Sequence, residues 1–421
     1  MKVLIKQARI VDPGGVHHGK NVDILIQNGL IEKVGKTLTA DVDVELKGNQ
    51  LCVSPGWVDI GVQIGDPGFE HREDVSSVSA AAAAGGYSTL LSWPNSAPAV
   101  DTKAAVLYIR RQTQGQLVEI YPIGAVSKLC KGEDITEMID MQRAGALAFS
   151  DGHHPIQSAG LMLRALQYVK SFDGLIVNQP QETNIEPHGQ MHEGAVSTSL
   201  GMKGIPNVAE ELMAQRDISL TRYTGSRLHM ANISSAGTVE LVRQAKLQGL
   251  AITASVSVMN LLFNDEKVDG FDVNYKVMPP LRSETDRQAL IAGVLDGTID
   301  LITSNHTPLE DDRKKLEYPY AGFGVVGLET SFGALITHLG AQLNIEQLIQ
   351  AFSTRTRSVF GLESASIKAG QVADITVFDP SQEWTYAADS VYSKSANSPF
   401  IGQKLKGKVL AVINNRRSYF S

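Results

Sequence analysis

The chain has 421 residues, of which 43% are hydrophobic, so it is long enough to bury a large core. The formal net charge is -7 and no basic stripe is present, which argues against nucleic acid as a partner. No apolar run reaches the roughly 18 residues that a membrane span needs, and the alternating start MKVLIKQARI is unlike a signal peptide. Two cysteines, Cys52 and Cys130, are too few for a disulfide framework. We therefore expect a cytoplasmic protein without a membrane association.

Both ends of the chain alternate apolar and polar residues, as half-buried strands do. The N-terminal segments VLIKQARIV and VDILIQNGLIEKVG are broken by DPGG and NG, which favour tight turns. The C-terminal segments VADITVFDP and GKVLAVINNRRSYF follow the same pattern. We predict one small β-sandwich domain assembled from residues 1–54 and 366–421.

Between these ends, short apolar runs alternate with helical patterns. The predicted strands are WVDIGV, YSTLLS, EIYPIGAV, ALAFS, GLIVN, RLHMAN, AITASV and DLITS. The predicted helices are VSSVSAAAAAGG, KAAVLYIRRQT, DITEMIDMQRAG, GLMLRALQYVKS, VAEELMAQR, AGTVELVRQAKLQG, TDRQALIAGVLDG and ETSFGALITHLG. Eight strand-then-helix units predict an α/β fold, a (β/α)8 TIM barrel over residues 55–365. An open doubly wound sheet is the alternative, and it is disfavoured because no GxGxxG follows a strand.

In such barrels, function sits at the carboxyl ends of the strands. The residues at or just beyond these predicted ends are rich in amides and poor in histidines and carboxylates. They are Gly61, Gln63, Asn95, Asp151, Asn178, Gln179, Asn232, Ser255, Asn305 and His306.

A series of segments around these ends is distinctive. It comprises SPGWVDIGVQIGDPG, AAAAAGGYSTLLSWPNSAP, GALAFSDGHHPIQSAGLMLRAL, HGQMHEG, LHMANISSAGTVELVRQAK, MPPLRSETDRQALIAGVLDGTIDLITSNHTP, GFGVVGLETSFG and SPFIGQKLKGKV. In this order the segments resemble the dihydroorotases, which are cyclic amidohydrolases of the amidohydrolase superfamily. The resemblance covers nearly the whole chain. The strand that ends in Ser-Asp is similar to the dihydroorotase form without a carboxylated lysine.

The resemblance also implies a set of replaced residues, which together form a vestigial pocket. Where the family has His-x-His on the first strand, this chain has Gly61-Val62-Gln63, and the carboxylate-binding arginine is replaced by Gly65. The fifth-strand histidine is replaced by Asn178 or Gln179, and the alignment leaves both open. Further replacements are Asn232 for the sixth-strand histidine, Asn305 for the catalytic aspartate, Met278 for a substrate-contacting asparagine, and Met259 and Asn260 for paired histidines. Asn95 and Asp151 are retained, but the position after Asp151 is Gly152.

These replacements predict that the parent chemistry is lost. Zinc binds imidazole, thiolate or carboxylate groups, whereas amide side chains are weak ligands and glycine offers none. Asn305 has no basic oxygen that could take a proton from water. We expect no cofactor and no dihydroorotase activity. The resemblance then implies a pseudoenzyme of pyrimidine biosynthesis with a structural or regulatory role, and aspartate transcarbamoylase is the candidate partner because inactive dihydroorotase-like chains accompany it in bacteria.

Two alternatives remain open at this point. In the first, a relocated zinc site supports hydrolysis of a cyclic amide such as dihydroorotate to carbamoyl aspartate. The histidines that could form it are His153, His154, His188, His192 and His306. In the second, the amide-lined mouth is a small-molecule sensor. Family members are commonly dimers or larger, so we also expect a homo-oligomer.

Overall fold

The structure is a computed structural model that describes residues 1–421. The strands are β1 Lys2–Ile10, β2 Asn21–Gln27, β3 Leu30–Gly35, β4 Val44–Leu46, β5 Cys52–Pro55, β6 Trp57–Val62, β7 Tyr87–Ser92, β8 Glu119–Pro122, β9 Leu175–Asn178, β10 Met191–His192, β11 Gly204–Ile205, β12 Arg227–Met230, β13 Ile252–Ser257, β14 Leu301–Thr303, β15 Ile375–Thr385, β16 Lys404–Asn414 and β17 Arg417–Phe420. The helices are α1 Val75–Gly85, α2 Lys103–Thr113, α3 Met138–Ala144, α4 Ala159–Lys170, α5 Ala195–Leu200, α6 Asn207–Thr224, α7 Ala236–Leu247, α8 Val258–Leu262, α9 Glu284–Asp296, α10 Asp311–Lys314, α11 Ser331–Leu339, α12 Ile345–Ile349 and α13 Arg355–Phe360. A π-helical segment, Gln350–Thr354, joins α12 to α13.

The central part of the chain is a closed parallel barrel. Strands β6, β7 and β8 pair in order, and β9, β12, β13 and β14 form the other arc. Phe149 joins the two arcs through parallel bridges to Gly124 and Ile176. The barrel closes where the N–H of Gln63 donates to the carbonyl of His306 at 3.1 Å. The predicted (β/α)8 barrel is therefore confirmed.

Several predicted elements are shorter than the sequence pattern indicates; the third strand, EIYPIGAV, for example, ends at Pro122. The fourth strand, ALAFS, is reduced to the bridges made by Phe149. The helix predicted from Asp134 begins only at Met138, because Ile135 pairs with Ser127 in an isolated bridge. These departures lie in the same quarter of the barrel, so its third and fourth loops are longer than expected.

Helix α1 illustrates how local sequence sets the boundaries. The side chain of Asp74 accepts a hydrogen bond from the N–H of Ser77, which caps the first turn. The helix ends at Gly86, whose φ of 97° is left-handed and favours glycine. A Cβ on Gly86 would lie 2.5 Å from the ring of Trp57, so glycine also permits the close packing of α1 on the first barrel strand.

The two ends of the chain form one sheet of eight strands. Its order is β17-β16-β15-β5-β1-β2-β3, and β4 pairs with β1 off this path. Strand β1 has a register shift between Ile5 and Ala8; its first half pairs with β4 and its second half with β5. A separate cluster of 16 buried apolar residues belongs to this sheet and the segments beside it. The N- and C-terminal segments therefore share one core.

The barrel interior is filled below the mouth. A cluster of 11 buried apolar residues includes Ile60, Leu91, Val177 and Leu301 from different strands. A larger cluster of 68 residues includes both strand and helix positions outside this inner layer. The polar strand ends therefore lie beyond this apolar layer. No helix in the chain has the length and apolar character needed to cross a membrane.

Candidate functional site

The first strand ends beneath an indole ring. Gly61 has a φ of 73°, and a Cβ placed on it would lie 2.7 Å from Cζ2 of Trp93. Trp93 follows β7, is 4% exposed and belongs to the inner apolar cluster. Because the ring already occupies this space, a side chain at Gly61 cannot enter the mouth without displacing it. Sequence reasoning missed Trp93, although its alternation with inward-facing Leu91 pointed to it.

Gln63 and His153 face each other beside this ring. Their Nε2 atoms are 2.5 Å apart, and the imidazole meets Trp93 edge to face with ring centroids 5.9 Å apart. Burial, followed by the charge of His154, lowers the pKa of His153 to about 4. The imidazole is therefore neutral near pH 7, and its Nε2 accepts the hydrogen bond that the Gln63 amide donates.

Gly65 stands where the resemblance places the arginine. Its φ is 70°, and a Cβ would lie 2.0 Å from the backbone carbonyl oxygen of Glu73. Backbone atoms cannot rotate away as a flexible side chain can. The loop path therefore excludes any larger residue at Gly65.

The two retained polar residues organise the loop after the fourth strand. Nδ2 of Asn95 donates to the carbonyl of Asp151 at 3.0 Å, and its Oδ1 accepts the N–H of His153 at 3.0 Å. The carboxylate of Asp151 accepts the N–H of Ser127 at 2.8 Å and also its hydroxyl. Burial raises the pKa of Asp151, and the Ser127 hydrogen bonds oppose that rise. Asp151 therefore has its carboxylate committed to the loop.

Asn178 and Gln179 differ in direction. Nδ2 of Asn178 donates to Asp217 on α6 at 2.7 Å, so the side chain points away from the barrel axis. Leu175 and Val177 belong to the inner apolar cluster, and alternation along the strand makes Gln179 the next inward position. Gln179 is 4% exposed. Of the two candidates, Gln179 is thus the one that faces the mouth.

A chain of neutral hydrogen bonds crosses the opposite side of the mouth. The hydroxyl of Thr303 donates to Oδ1 of Asn232 at 2.7 Å, and Nδ2 of Asn232 donates to Oδ1 of Asn305 at 3.2 Å. Nδ2 of Asn305 then donates to the carbonyl of Met278 at 3.0 Å. Both asparagines have a φ of 51°, a left-handed conformation that asparagine tolerates better than most residues. An aspartate at Asn305 would lose the donor in the last of these bonds.

The His306 imidazole contacts Gly327 and Glu73. Its Nδ1 accepts the N–H of Gly327 at 3.3 Å, and its Nε2 lies 3.2 Å from Oε2 of Glu73. Although burial raises it, hydrogen bonds from His306, Ser393 and Ser77 hold the pKa of Glu73 below its usual range. Glu73 is fully buried, which sequence reasoning missed because it lies in the charged segment FEHRED.

The other candidate histidines are not brought together. His154 and His188 are exposed. His192 is buried with its Nδ1 3.5 Å from Nη1 of Arg282, and burial followed by that charge lowers its pKa to about 4. No three His, Cys, Asp or Glu side chains are grouped so that they could hold a metal ion. The donor set at the strand ends therefore does not fit zinc, which needs three or four such ligands.

A small cavity and two unpaired polar atoms lie at the strand ends. The cavity beside Gln63, Gly65 and Asn95 has a volume of about 20 Å³, which is room for about one water molecule. Nε1 of Trp93 and Oε1 of Gln179 are buried without a hydrogen-bond partner. Buried polar groups are normally paired, so these two atoms are the places where a water or a small neutral group would bind.

Comparisons with known proteins agree with this architecture. A family model described as "Dihydro-orotase-like" matches residues 50–238. A protein named dihydroorotase from Thermoanaerobacter sp. (strain X514) is 40% identical, with 97% of this chain and 95% of that protein covered. One of the same name from Pelotomaculum thermopropionicum is 41% identical, with 98% and 97% covered.

Solved structures support the fold at lower sequence identity. The L-hydantoinase (dihydropyrimidinase) from Arthrobacter aurescens superposes with a TM-score of 0.85 at 23% identity, covering 99% of this chain and 95% of that one. A D-hydantoinase (dihydropyrimidinase) from Thermus sp. gives a TM-score of 0.81 at 18% identity, with 100% and 96% covered. At these identities the similarity describes the fold alone.

Proposed function

Because the chain belongs to the dihydroorotase family, we propose that it is a metal-free, non-catalytic member that serves pyrimidine biosynthesis as a structural or regulatory subunit. The observation that carries the proposal is the indole of Trp93, which occupies the space above Gly61. A catalytic mouth must admit a substrate. Beside Gln63, Gly65 and Asn95 the cavity has room for about one water molecule.

The chemistry of the strand ends supports the same proposal. In a metal-dependent amidohydrolase the ion lowers the pKa of a bound water and polarises the amide carbonyl, and a base takes the proton. Here Asn305 is neutral and already donates to the carbonyl of Met278. Asp151 is held by Ser127. Asn305 has no carboxylate that could take a proton, and Asp151 alone supplies one ligand where a zinc site needs three or four.

The partner in this proposal is aspartate transcarbamoylase, and the assembly contains more than one copy of this chain. The partner is inferred by analogy with inactive dihydroorotase-like chains, and the oligomer by analogy with family members, which are commonly dimers or larger. A scaffold role is compatible with a barrel that keeps its core while its mouth is filled.

Two other functions have one supporting observation each. Relatives named dihydroorotase align over nearly the full length, which favours an active cyclic amidohydrolase using zinc at another place. The unpaired atoms of Trp93 and Gln179 favour a sensor for a small neutral molecule in the mouth.

One experiment separates catalysis from scaffolding. The tag-free protein is expressed with excess zinc, its metal content is measured by elemental analysis, and dihydroorotate hydrolysis is assayed beside the Thermoanaerobacter relative as a control. We expect far less than one equivalent of zinc and no turnover. A full equivalent of zinc with turnover would refute the proposal. Co-purification with aspartate transcarbamoylase from the same source then tests the partner.

A further inference from the structure

A second cavity, of about 220 Å³, lies outside the barrel mouth, between helix α11 and strands β15 to β17 of the terminal sheet. Five aromatic side chains line it: Phe332, Trp384, Tyr386, Tyr392 and Tyr419. Small-molecule sites favour such positions, where two structural units meet and apolar walls surround a few polar groups. The cavity is about ten times larger than the one of about 20 Å³ at the mouth.

The charged residues that line this aromatic pocket are Glu329 and Lys408. Oε1 of Glu329 accepts the hydroxyl of Tyr386 at 3.2 Å and the N–H groups of Tyr392 at 3.2 Å and Ser393 at 3.3 Å. Oε2 has one bond, shared from the N–H of Tyr392 at 3.2 Å. A carboxylate oxygen can accept two hydrogen bonds, so Oε2 retains an open acceptor position.

The wall of the aromatic pocket is connected to the barrel mouth. Tyr392 and Ser393 give their N–H groups to Glu329, and the hydroxyl of Ser393 donates to Glu73. Glu73 in turn pairs with His306 at 3.2 Å. His306 directly follows Asn305, which belongs to the chain of neutral hydrogen bonds in the mouth. A continuous series of contacts therefore joins the aromatic pocket to His306 and Asn305 at the strand ends.

We propose that the aromatic pocket binds a planar heterocycle carrying an N–H donor beside a carbonyl acceptor, and that ligand binding in the pocket changes the environment of the His306 imidazole. The aromatic side chains contact the faces and edges of the ring, Oε2 of Glu329 accepts the N–H, and Lys408 donates to the carbonyl. The proposal goes beyond the function of the mouth, since it holds whether or not the mouth is catalytic.

Binding is tested with uracil, which has the required N–H and carbonyl pair, and with 1,3-dimethyluracil, which lacks the N–H. In calorimetric titrations of the full-length protein, uracil should bind at least about tenfold more tightly than 1,3-dimethyluracil, a difference of about 1.4 kcal/mol in binding free energy. Ser390 lines the pocket and is exposed, so Ser390→Trp should block it without disturbing the core. Glu329→Gln should weaken uracil binding by a similar factor.

A matched pair of surface variants controls for loss of folding. Tyr392→Ala removes one wall of the pocket, whereas Tyr223→Ala removes a tyrosine that is 76% exposed elsewhere. We expect uracil binding to fall only in the first. No uracil binding at about 10 mM, or equal binding in the Ser390→Trp variant, would overturn the proposed site.

The connection to the mouth has its own measurement. The imidazole ¹⁵N resonances of His306 should shift when uracil is added to labelled protein. Ser393→Ala removes the hydroxyl that donates to Glu73, so it should abolish this shift while uracil still binds. Bound uracil with an unchanged His306 signal in the unmodified protein would overturn the connection.

Discussion

Adding a single methyl group at Gly61 tests whether Trp93 really fills the mouth. Gly61→Ala places a Cβ 2.7 Å from the indole at a φ of 73°. The left-handed conformation costs a residue with a Cβ about 1–2 kcal/mol, and overpacking a filled core costs about 1–3 kcal/mol more. We expect the variant to lose about 2–5 kcal/mol of stability.

The two contributions can be separated. Gly115 has nearly the same φ, 72°, but a Cβ there meets nothing within 4 Å, so Gly115→Ala reports the conformational cost alone. In a Trp93→Ala background the space above Gly61 is free, and Gly61→Ala should then cost no more than Gly115→Ala does. The difference between the two backgrounds is the steric coupling between Gly61 and Trp93.

Urea unfolding monitored by circular dichroism gives the midpoint shifts for this cycle. Midpoints are compared between variants of one chain, because a chain of 421 residues need not unfold in a single step. If Gly61→Ala lowered stability equally with and without the Trp93 indole, the reasoning would be refuted, since the ring would then not occupy the space above Gly61.

The other predictions concern charge in the same region. Asn305→Asp removes the donor to the carbonyl of Met278 and buries a carboxylate, so it should destabilise the fold by about 1–3 kcal/mol at pH 7. This loss of stability should shrink toward pH 4, because the carboxylate is then protonated. Thermal unfolding at both pH values measures the difference. Burial lowers the pKa of His153 and His192 from 6.5 to about 4, and that of His229 to about 3. Because the unfolded chain takes up these protons first, stability should fall as pH drops from 6.5 toward 4, and His153→Gln should reduce the slope; a slope unchanged by that substitution would contradict it.

Sequence patterns determine the barrel well because its signals are local. Strands such as YSTLLS and helices such as KAAVLYIRRQT have the predicted bounds, since apolar periodicity and flanking breakers mark them. The third and fourth strands depart from the prediction, because EIYPIGAV is a continuous strand only over Glu119–Pro122 and only Phe149 of ALAFS makes bridges. In ALAFS, a run of five residues carries too little periodicity to reveal this.

The direction of side chains at the mouth required the structure. The sequence placed Asn178, Asp151 and His306 at strand ends, but their partners come from other elements, such as α6 for Asn178. Strand β6, the first strand of the barrel, also has a register shift between Ile60 and Val62, which changes where the following residues point. Such shifts depend on pairing with a neighbour, so one strand's sequence cannot give them.

At three positions of the predicted vestigial pocket, neighbouring groups take up the space or the hydrogen bonds. The indole of Trp93 lies over Gly61, the carbonyl of Glu73 abuts Gly65, and Asn305 donates to the carbonyl of Met278. A metal-binding mouth without its metal would leave polar side chains unpaired or mutually repelled, which is costly when they are buried. A larger residue at Gly61 or at Gly65 would collide with the neighbouring group. Under the proposed metal-free function, metal binding would require coordinated changes at several strand ends.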